Sequence, residues 1–161
     1  MTTVSYPSDS FPAPSGVSID CPDGWRPMPE AAQCLAVVKD AEPGQFRANV
    51  IVSVRRMAAG TALDSAIAEL HDRIKQLSEY APIGEERRLV DGCQGFRIEG
   101  SFVDATAGTI VQAIRLAVVP LGPVEDLVQT TGSCHGSQVP LALQQIRDIQ
   151  DSLKVEKKSR Q

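Results

Sequence analysis

Cys134 and His135 stand next to each other in the segment TGSCHGS, and a thiol beside an imidazole has the chemistry of a nucleophile and its base. A helix is expected to begin just after this segment, and a helix N-terminus can lower the pKa of a nearby thiol. The sequence shows no third residue that would orient the imidazole. A turn of small residues leading into a helix is therefore the favoured interpretation, and a thiol-dependent enzyme is a remote alternative.

Metal binding is not expected, because ligands for structural metals come in closely spaced clusters. Neither histidine has a carboxylate at ligand spacing, and the cysteines form no C-x-x-C pair; they are Cys21, Cys34, Cys93 and Cys134. We expect buried free thiols, no metal and no cofactor. Cys21 and Cys34 are placed at the ends of adjacent predicted strands, so whether they pair as a disulfide stays open.

Charge argues against a nucleic-acid partner. The chain has 161 residues, 42% hydrophobic content, a net charge of −4 and a pI near 5.2. Its last eight residues hold four basic side chains and one acidic one, so the remainder is more acidic than the total. An acidic body repels phosphate backbones.

No apolar run approaches the ~20 residues of a membrane span. The first 16 residues contain neither the basic nor the apolar region of an export signal. The sequence as it stands therefore predicts a cytoplasmic protein.

Composition predicts three segments: a flexible N-terminal arm rich in proline and serine over residues 1–16, one domain over 17–153, and a basic tail over 154–161. Within the domain we expect strands at 17–21, 33–40 and 47–57. In the third of these, Val50, Val52 and Val54 share one face. The other face mixes Asn49, Ser53 and Arg55 with Ile51 and is expected to be only partly covered.

Two amphipathic helices are predicted, over 61–80 and 137–155. Thr61 and Asp64 form an approximate capping box for the first, and Ser137 is the expected N-cap of the second. Between the helices, four runs joined by short turns predict an antiparallel meander; they are 83–90, 94–104, 109–120 and 124–131. The third run is apolar on both faces, which is typical of a central strand covered on both sides.

These elements predict an α+β protein with an antiparallel sheet of about six to seven strands and helices packed on its faces. Ile114 and Phe96 are expected in its core.

Five sequence segments then carry a resemblance to a known family. They are CPDGWRPMP, ANVIVSV, DGCQGFRIEGSF, a long strand that ends in VVP, and LVQTTGSC. In order and spacing they resemble the LpqN-type proteins of mycobacteria and other actinobacteria, over residues 17–153. The resemblance implies a PsbP-like αβα sandwich, with Gly24-Trp25 at a strand-end turn and Ala48-Asn49-Val50 at the start of the third strand.

Members of this family are usually lipoproteins, and a lipid anchor needs a cysteine behind an apolar signal. Cys21 follows the residues Ser-Ile-Asp, so a lipid anchor is not expected on this chain. PsbP-like domains mostly bind other proteins. The resemblance therefore implies a non-enzymatic binding or adaptor domain, with a possible link to secretion or the cell envelope.

The expected contact surface is the less covered face or edge of the sheet, near Trp25, Arg55, Arg56 and Arg97. Two alternatives remain: a carrier of a small apolar ligand and a homo-oligomeric structural subunit. The partner is expected to be a protein, and the chain itself a monomer or a homodimer.

Overall fold

The computed structural model describes residues 1–31, 34–60 and 62–156. Nine strands and two helices are described. The strands are β1 (Val17–Ser18), β2 (Trp25–Pro27), β3 (Leu35–Lys39), β4 (Asn49–Ala58), β5 (Ala81–Val90), β6 (Cys93–Asp104), β7 (Gly108–Pro120), β8 (Val124–His135) and β9 (Lys154–Val155). The helices are α1 (Ala62–Lys75) and α2 (Val139–Asp151), and short 3-10 turns cover Pro29–Ala31 and Gly136–Gln138.

Seven strands form one antiparallel sheet in the order β2-β3-β4-β8-β7-β6-β5. Strands β5 to β8 are the predicted meander, and β4 joins it by pairing with β8. The α+β class, the antiparallel sheet and the helices on its two faces are confirmed. No helix in the described part of the chain is long and apolar enough to cross a membrane.

Strand β7 is the centre of the core, as its two apolar faces predict. Every residue from Ala113 to Val119 is buried. One face, with Ile114 and Leu116, packs against α1, and the other, with Val111 and Ala113, packs against α2. Because neighbouring residues of a strand point to opposite faces, β7 requires cover on both.

The second of these faces has an additional layer formed by the ends of the domain. Strands β1 and β9 pair in a small antiparallel sheet, and Val17 and Val155 pack on Val52 and Val128. The strand at Lys154–Val155 was not predicted, since these residues were expected at the end of the second helix and the start of the basic tail. The other basic residues of that tail, in 157–161, lie outside the described residues.

The N-terminal segment contacts the domain two residues earlier than expected, at Ser15. Ser15 is buried, and its backbone N–H and hydroxyl both donate to the same oxygen of Asp126, at 2.8 and 3.0 Å. The carbonyl of Gly16 accepts from the backbone N–H of Glu156. Residues 1–14 contain no helix or strand, and the division into arm, domain and tail stays a prediction.

Strand β8 runs four residues beyond its predicted end at Thr131. The prediction was too short because Gly132 was interpreted as a turn residue. Its actual role is packing: a Cβ at this position would lie 2.2 Å from the Cγ2 atom of Ile146. Ile146 is fully buried in α2, so the glycine permits the helix to approach the strand. Because β8 continues to His135, the second helix begins later than predicted, with Gln138 rather than Ser137 at its N-cap. Thr61 of the predicted capping box lies outside the described residues.

The structure also corrects the expectation for two cysteines. Cys93 and Cys134 are buried, but Cys21 and Cys34 are exposed, free thiols. Trp25 pairs with Lys39 and Pro27 pairs with Val37. This register places Cys21 beyond one end of the β2-β3 pair and Cys34 beyond the other, so a disulfide between them is not supported.

We predict that Gly132→Ala lowers the free energy of unfolding by about 1–3 kcal/mol, because the added methyl group must displace a buried helix. Gly84→Ala in β5 is the matched control, since the Cβ added there would meet only an Arg97 nitrogen at 3.9 Å. Urea unfolding of both variants tests this. Equal stability of the two variants would contradict the packing role of Gly132.

Candidate functional site

Within the described part of the chain, one part of the sheet has no covering layer. Burial alternates in the first half of β4 and the second half of β8: Val50, Val52, Thr130 and Gly132 are buried, whereas the residues between them are half-buried. The half-buried side chains point to the α1 side of the sheet. We call this surface the open face, and it comprises Asn49, Ile51, Ser53, Gln112, Gln129, Thr131 and Ser133.

The open face exists because α1 covers only part of its side of the sheet. The helix packs on β6, β7 and the first half of β8, against residues that include Phe96, Ile98, Ile114, Leu116 and Leu127. On the opposite side, α2 and the β1-β9 layer together cover β4 and β8. Among the described residues, no second layer of this kind lies on the α1 side. The mixed face predicted for the third strand is thus confirmed as partly covered.

Hydroxyl and amide groups dominate the open face. Gln129 donates to the Thr131 hydroxyl at 3.0 Å, and Gln112 donates to that of Ser133 at 3.4 Å. Ile51 lies among them, directly opposite Thr131. These contacts leave acceptor oxygens available to a partner that presents its own donors.

A cleft of about 650 Å³ separates the open face from α1. Both signs of charge line it, through Arg55, Glu69, Asp72 and Arg73, together with Ser53 and Gln129 of the open face. Arg55 donates to Glu69 at 3.0 Å, and both side chains are more than half exposed. The pair is therefore available to exchange partners with an incoming polar group.

Of the four residues predicted from the sequence, only Arg55 lies beside the open face. Arg56 is its neighbour in β4 and points to the opposite side, where it forms an ion pair of 3.4 Å with the buried Asp126. Trp25 is 6% exposed and packs in the cluster under α2, with its indole N–H 3.4 Å from the Gln145 oxygen. These contacts are those of a core-edge tryptophan.

Arg97 also faces the α2 side, far from Trp25 across the sheet. It pairs directly across the strands with Arg115 and forms a 3.2 Å ion pair with Glu86. The four predicted residues are therefore not brought together into one surface. A sequence pattern does not show which face of the sheet a given arginine occupies unless the strand register is known. In this sequence, only the mixed composition of β4 indicated the partly covered face beside which Arg55 lies.

Near Arg97, the buried carboxylate of Glu99 interacts with the charges of three arginines. Glu99 is 2% exposed and accepts two hydrogen bonds from Arg147 of α2, at 3.0 and 2.6 Å. Burial by itself raises the pKa of Glu99, but the hydrogen bond and charge of Arg147, with the charges of Arg97 and Arg115, shift this pKa below its ordinary value. Arg115 in turn pairs with Asp151. The cluster fixes α2 to β6 and β7.

The structure separates the thiol from the imidazole. Cys134 is completely buried under α2, and burial raises the pKa of its thiol. His135 is the next residue of the same strand and points to the other face, where its Nδ1 lies 2.7 Å from the Ser137 hydroxyl. Both residues belong to a strand and its cap rather than to a loop, so this pair does not have the geometry of a nucleophile and its base.

We predict that Glu99→Gln lowers the stability at pH 7 by about 3 kcal/mol, because it leaves the arginine charges without their buried counter-charge. The pKa of Glu99 in the folded protein lies below that of an unfolded glutamate, about 4.3. The ionised carboxylate therefore stabilises the folded state above that pH, and this contribution disappears as the pH falls through the folded pKa.

The difference in unfolding free energy between the wild type and Glu99→Gln should accordingly become smaller as the pH is lowered from 7 towards the folded pKa of Glu99. Glu69→Gln is the control, since its exposed ion pair with Arg55 contributes less than about 1 kcal/mol. A pH-independent difference for Glu99→Gln would rule out the charge explanation.

Solved structures with the same fold include one from a mycobacterium, one from a cyanobacterium and one from a yeast. LpqN, involved in cell envelope biogenesis of Mycobacterium tuberculosis, superposes with a TM-score of 0.74 at 15% identity, covering 89% of this chain and 85% of that one. CyanoP, the cyanobacterial PsbP of Synechocystis sp. PCC 6803, gives a TM-score of 0.51 at 14% identity, with 97% and 99% covered. The Saccharomyces cerevisiae Ran-binding protein Mog1p gives 0.54 at 11% identity, with 88% and 90% covered.

At these identities the likeness establishes the fold, which is PsbP-like. No curated protein matches the chain in sequence. The sequence profile of the Lpp-LpqN family, described as probable lipoprotein LpqN, matches residues 5–156, which include every described helix and strand. The chain therefore belongs to the Lpp-LpqN family.

Proposed function

We propose that this protein is a non-enzymatic binding or adaptor domain that engages another protein through its open face. The observation that carries the proposal is the uneven cover of the sheet: β4 and β8 are sealed on one side by α2 and the β1-β9 layer and left half-exposed on the other. A sheet face whose strands are paired and whose side chains are left half-exposed offers a preformed contact area, which lowers the conformational cost of binding.

The chemistry of the open face favours a polar protein surface as its partner. Side-chain amides and hydroxyls surround the single isoleucine, and the adjoining cleft contains two positive and two negative side chains. Protein interfaces outside obligate oligomers combine apolar and polar contacts in this way. A carrier of an apolar ligand would need a largely apolar lining, so the cleft gives that alternative less support.

The relatives support the same proposal. Mog1p is described as a Ran-binding protein, so this fold serves protein binding in at least one case. The M. tuberculosis LpqN structure is linked to cell envelope biogenesis. We extend that link to the present chain on the basis of its family, and we propose a partner that belongs to the cell envelope or to secretion. The cytoplasmic location predicted from the sequence stays a prediction.

We predict that Gln129→Arg abolishes capture of the partner, because the longer charged side chain would stand where the open face meets the cleft beside α1. The measurement is affinity capture from an extract of the source organism at about 0.15 M salt, where weak surface attraction is screened. Gln144→Arg is the matched control, because Gln144 is exposed on the outer side of α2, across the sheet from the open face.

The proposal requires a stoichiometric protein retained by the wild type and by Gln144→Arg but lost with Gln129→Arg. Circular dichroism should show that all three proteins remain folded. Loss of capture with both variants, or with neither, would mean that the open face is not the contact surface.

A further inference from the structure

Strand β5 forms a long edge of the sheet with which no other described strand pairs. It ends the sheet order beyond β6 and is ten residues long, whereas the strand at the opposite edge, β2, has three. Eight of its ten residues are exposed. The backbone groups on the outer side of an edge strand can pair with another strand, and proteins usually prevent this with charges, prolines or bulges.

Two large apolar side chains stand on this edge in positions that are symmetric about Glu86. Ile83 is 52% exposed and Leu89 is 61% exposed. Among the described residues, no other strand exposes a large apolar side chain to this extent. Between them lies the segment Gly84-Glu85-Glu86-Arg87-Arg88, in which two acidic residues are followed by two basic ones.

We infer that β5 pairs antiparallel with β5 of a second copy of this chain, about a twofold axis at Glu86. Residues that face each other across antiparallel strands lie on the same side of a sheet. With the axis at Glu86, Glu85 of each copy faces Arg87 of the other, and Ile83, the extra residue of the bulge in β5, lies next to Leu89 at the end of the regular pairing. The pattern is self-complementary, as a twofold interface requires. The result is one continuous sheet of fourteen strands, since each copy contributes seven.

The charged side chains are already held in place for this contact. Glu85 lies 2.6 Å from the His71 imidazole, and Arg87 lies 2.6 Å from Asp64, so α1 fixes both on its own side of the sheet. They remain 48% and 62% exposed, with room for a partner from the second copy.

The axis brings Glu86 of one copy towards Glu86 of the other, a like-charge contact that would oppose pairing. Within each copy, however, Glu86 forms an ion pair of 3.2 Å with Arg97 and lies 4.0 Å from Arg88. In the single copy, the two arginines on the α2 side therefore already compensate the negative charge of Glu86.

The bulge at one end of β5 limits the contact instead of preventing it. The register with β6 shifts between Pro82 and Gly84, and Pro82 has no backbone N–H to donate. Pairing is thus stopped at Pro82 and confined to the self-complementary segment. An axis at Arg87 would still pair Glu86 with Arg88 but would place Leu89 opposite Glu85. An axis at Glu85 would leave no glutamate opposite an arginine, so the register centred on Glu86 is favoured.

Sedimentation velocity of three proteins tests the inference. The wild type should sediment with twice the 17.3 kDa mass of one chain at the highest concentrations. Arg87→Glu places carboxylates opposite carboxylates, and Glu85→Arg places cations opposite cations, so each variant alone should sediment as a single chain. An equimolar mixture of the two variants should regain the dimer, because the carboxylates of one then face the cations of the other.

Arg55→Glu is the control, since it also breaks one exposed ion pair to α1 but lies away from the β5 edge. This variant should dimerise as the wild type does. A wild type that remains a single chain at all concentrations overturns the inference. So does a dimer that persists in both single variants, or a mixture that stays monomeric.

Discussion

The two-sided apolar character of β7 is the constraint on which the rest of this structure depends. A strand without a polar face is stable only when both faces are covered, so one helix must pack on each side of the sheet. A helix with its side chains is about 10 Å wide, whereas seven strands at a spacing of about 4.8 Å span roughly three times that width. One helix per side therefore leaves part of each face to be covered in another way.

The chain solves this problem differently on its two sides. On the α2 side, the termini return as β1 and β9, and the buried Glu99 with its arginines joins the helix to β6. On the α1 side the uncovered strands carry glutamine, serine and threonine, which tolerate water. The open face is thus a consequence of unequal cover, and its polar composition allows the domain to remain stable whether or not a partner is bound.

Local patterns in the sequence contain most of the information about the large sheet. The alternation in β4, the apolar faces of β7 and the stripes of the helices predict the class, the meander and even the partly covered face. Two short strands were not predicted. β9 is defined by its pairing with β1 at the other end of the domain, and β2, with three residues, is too short to show an alternating pattern. The contacts of Arg56 with Asp126 and of Glu99 with Arg147 were missed for the same reason: only the register and the helix docking bring them together. Gly132 shows the converse error, since a packing glycine resembles a turn glycine in sequence.

The bonds between Ser15 and Asp126 determine how mechanical load would enter the domain. Tension applied along residues 1–14 reaches Ser15 before it reaches β1, and Ser15 is attached through Asp126 to β8 in the interior of the large sheet. The force would therefore act first on a strand paired on both sides, rather than peeling the two-residue β1 away from β9. The first bonds to resist a pull on this end are therefore on the α2 side of the sheet, opposite to the open face.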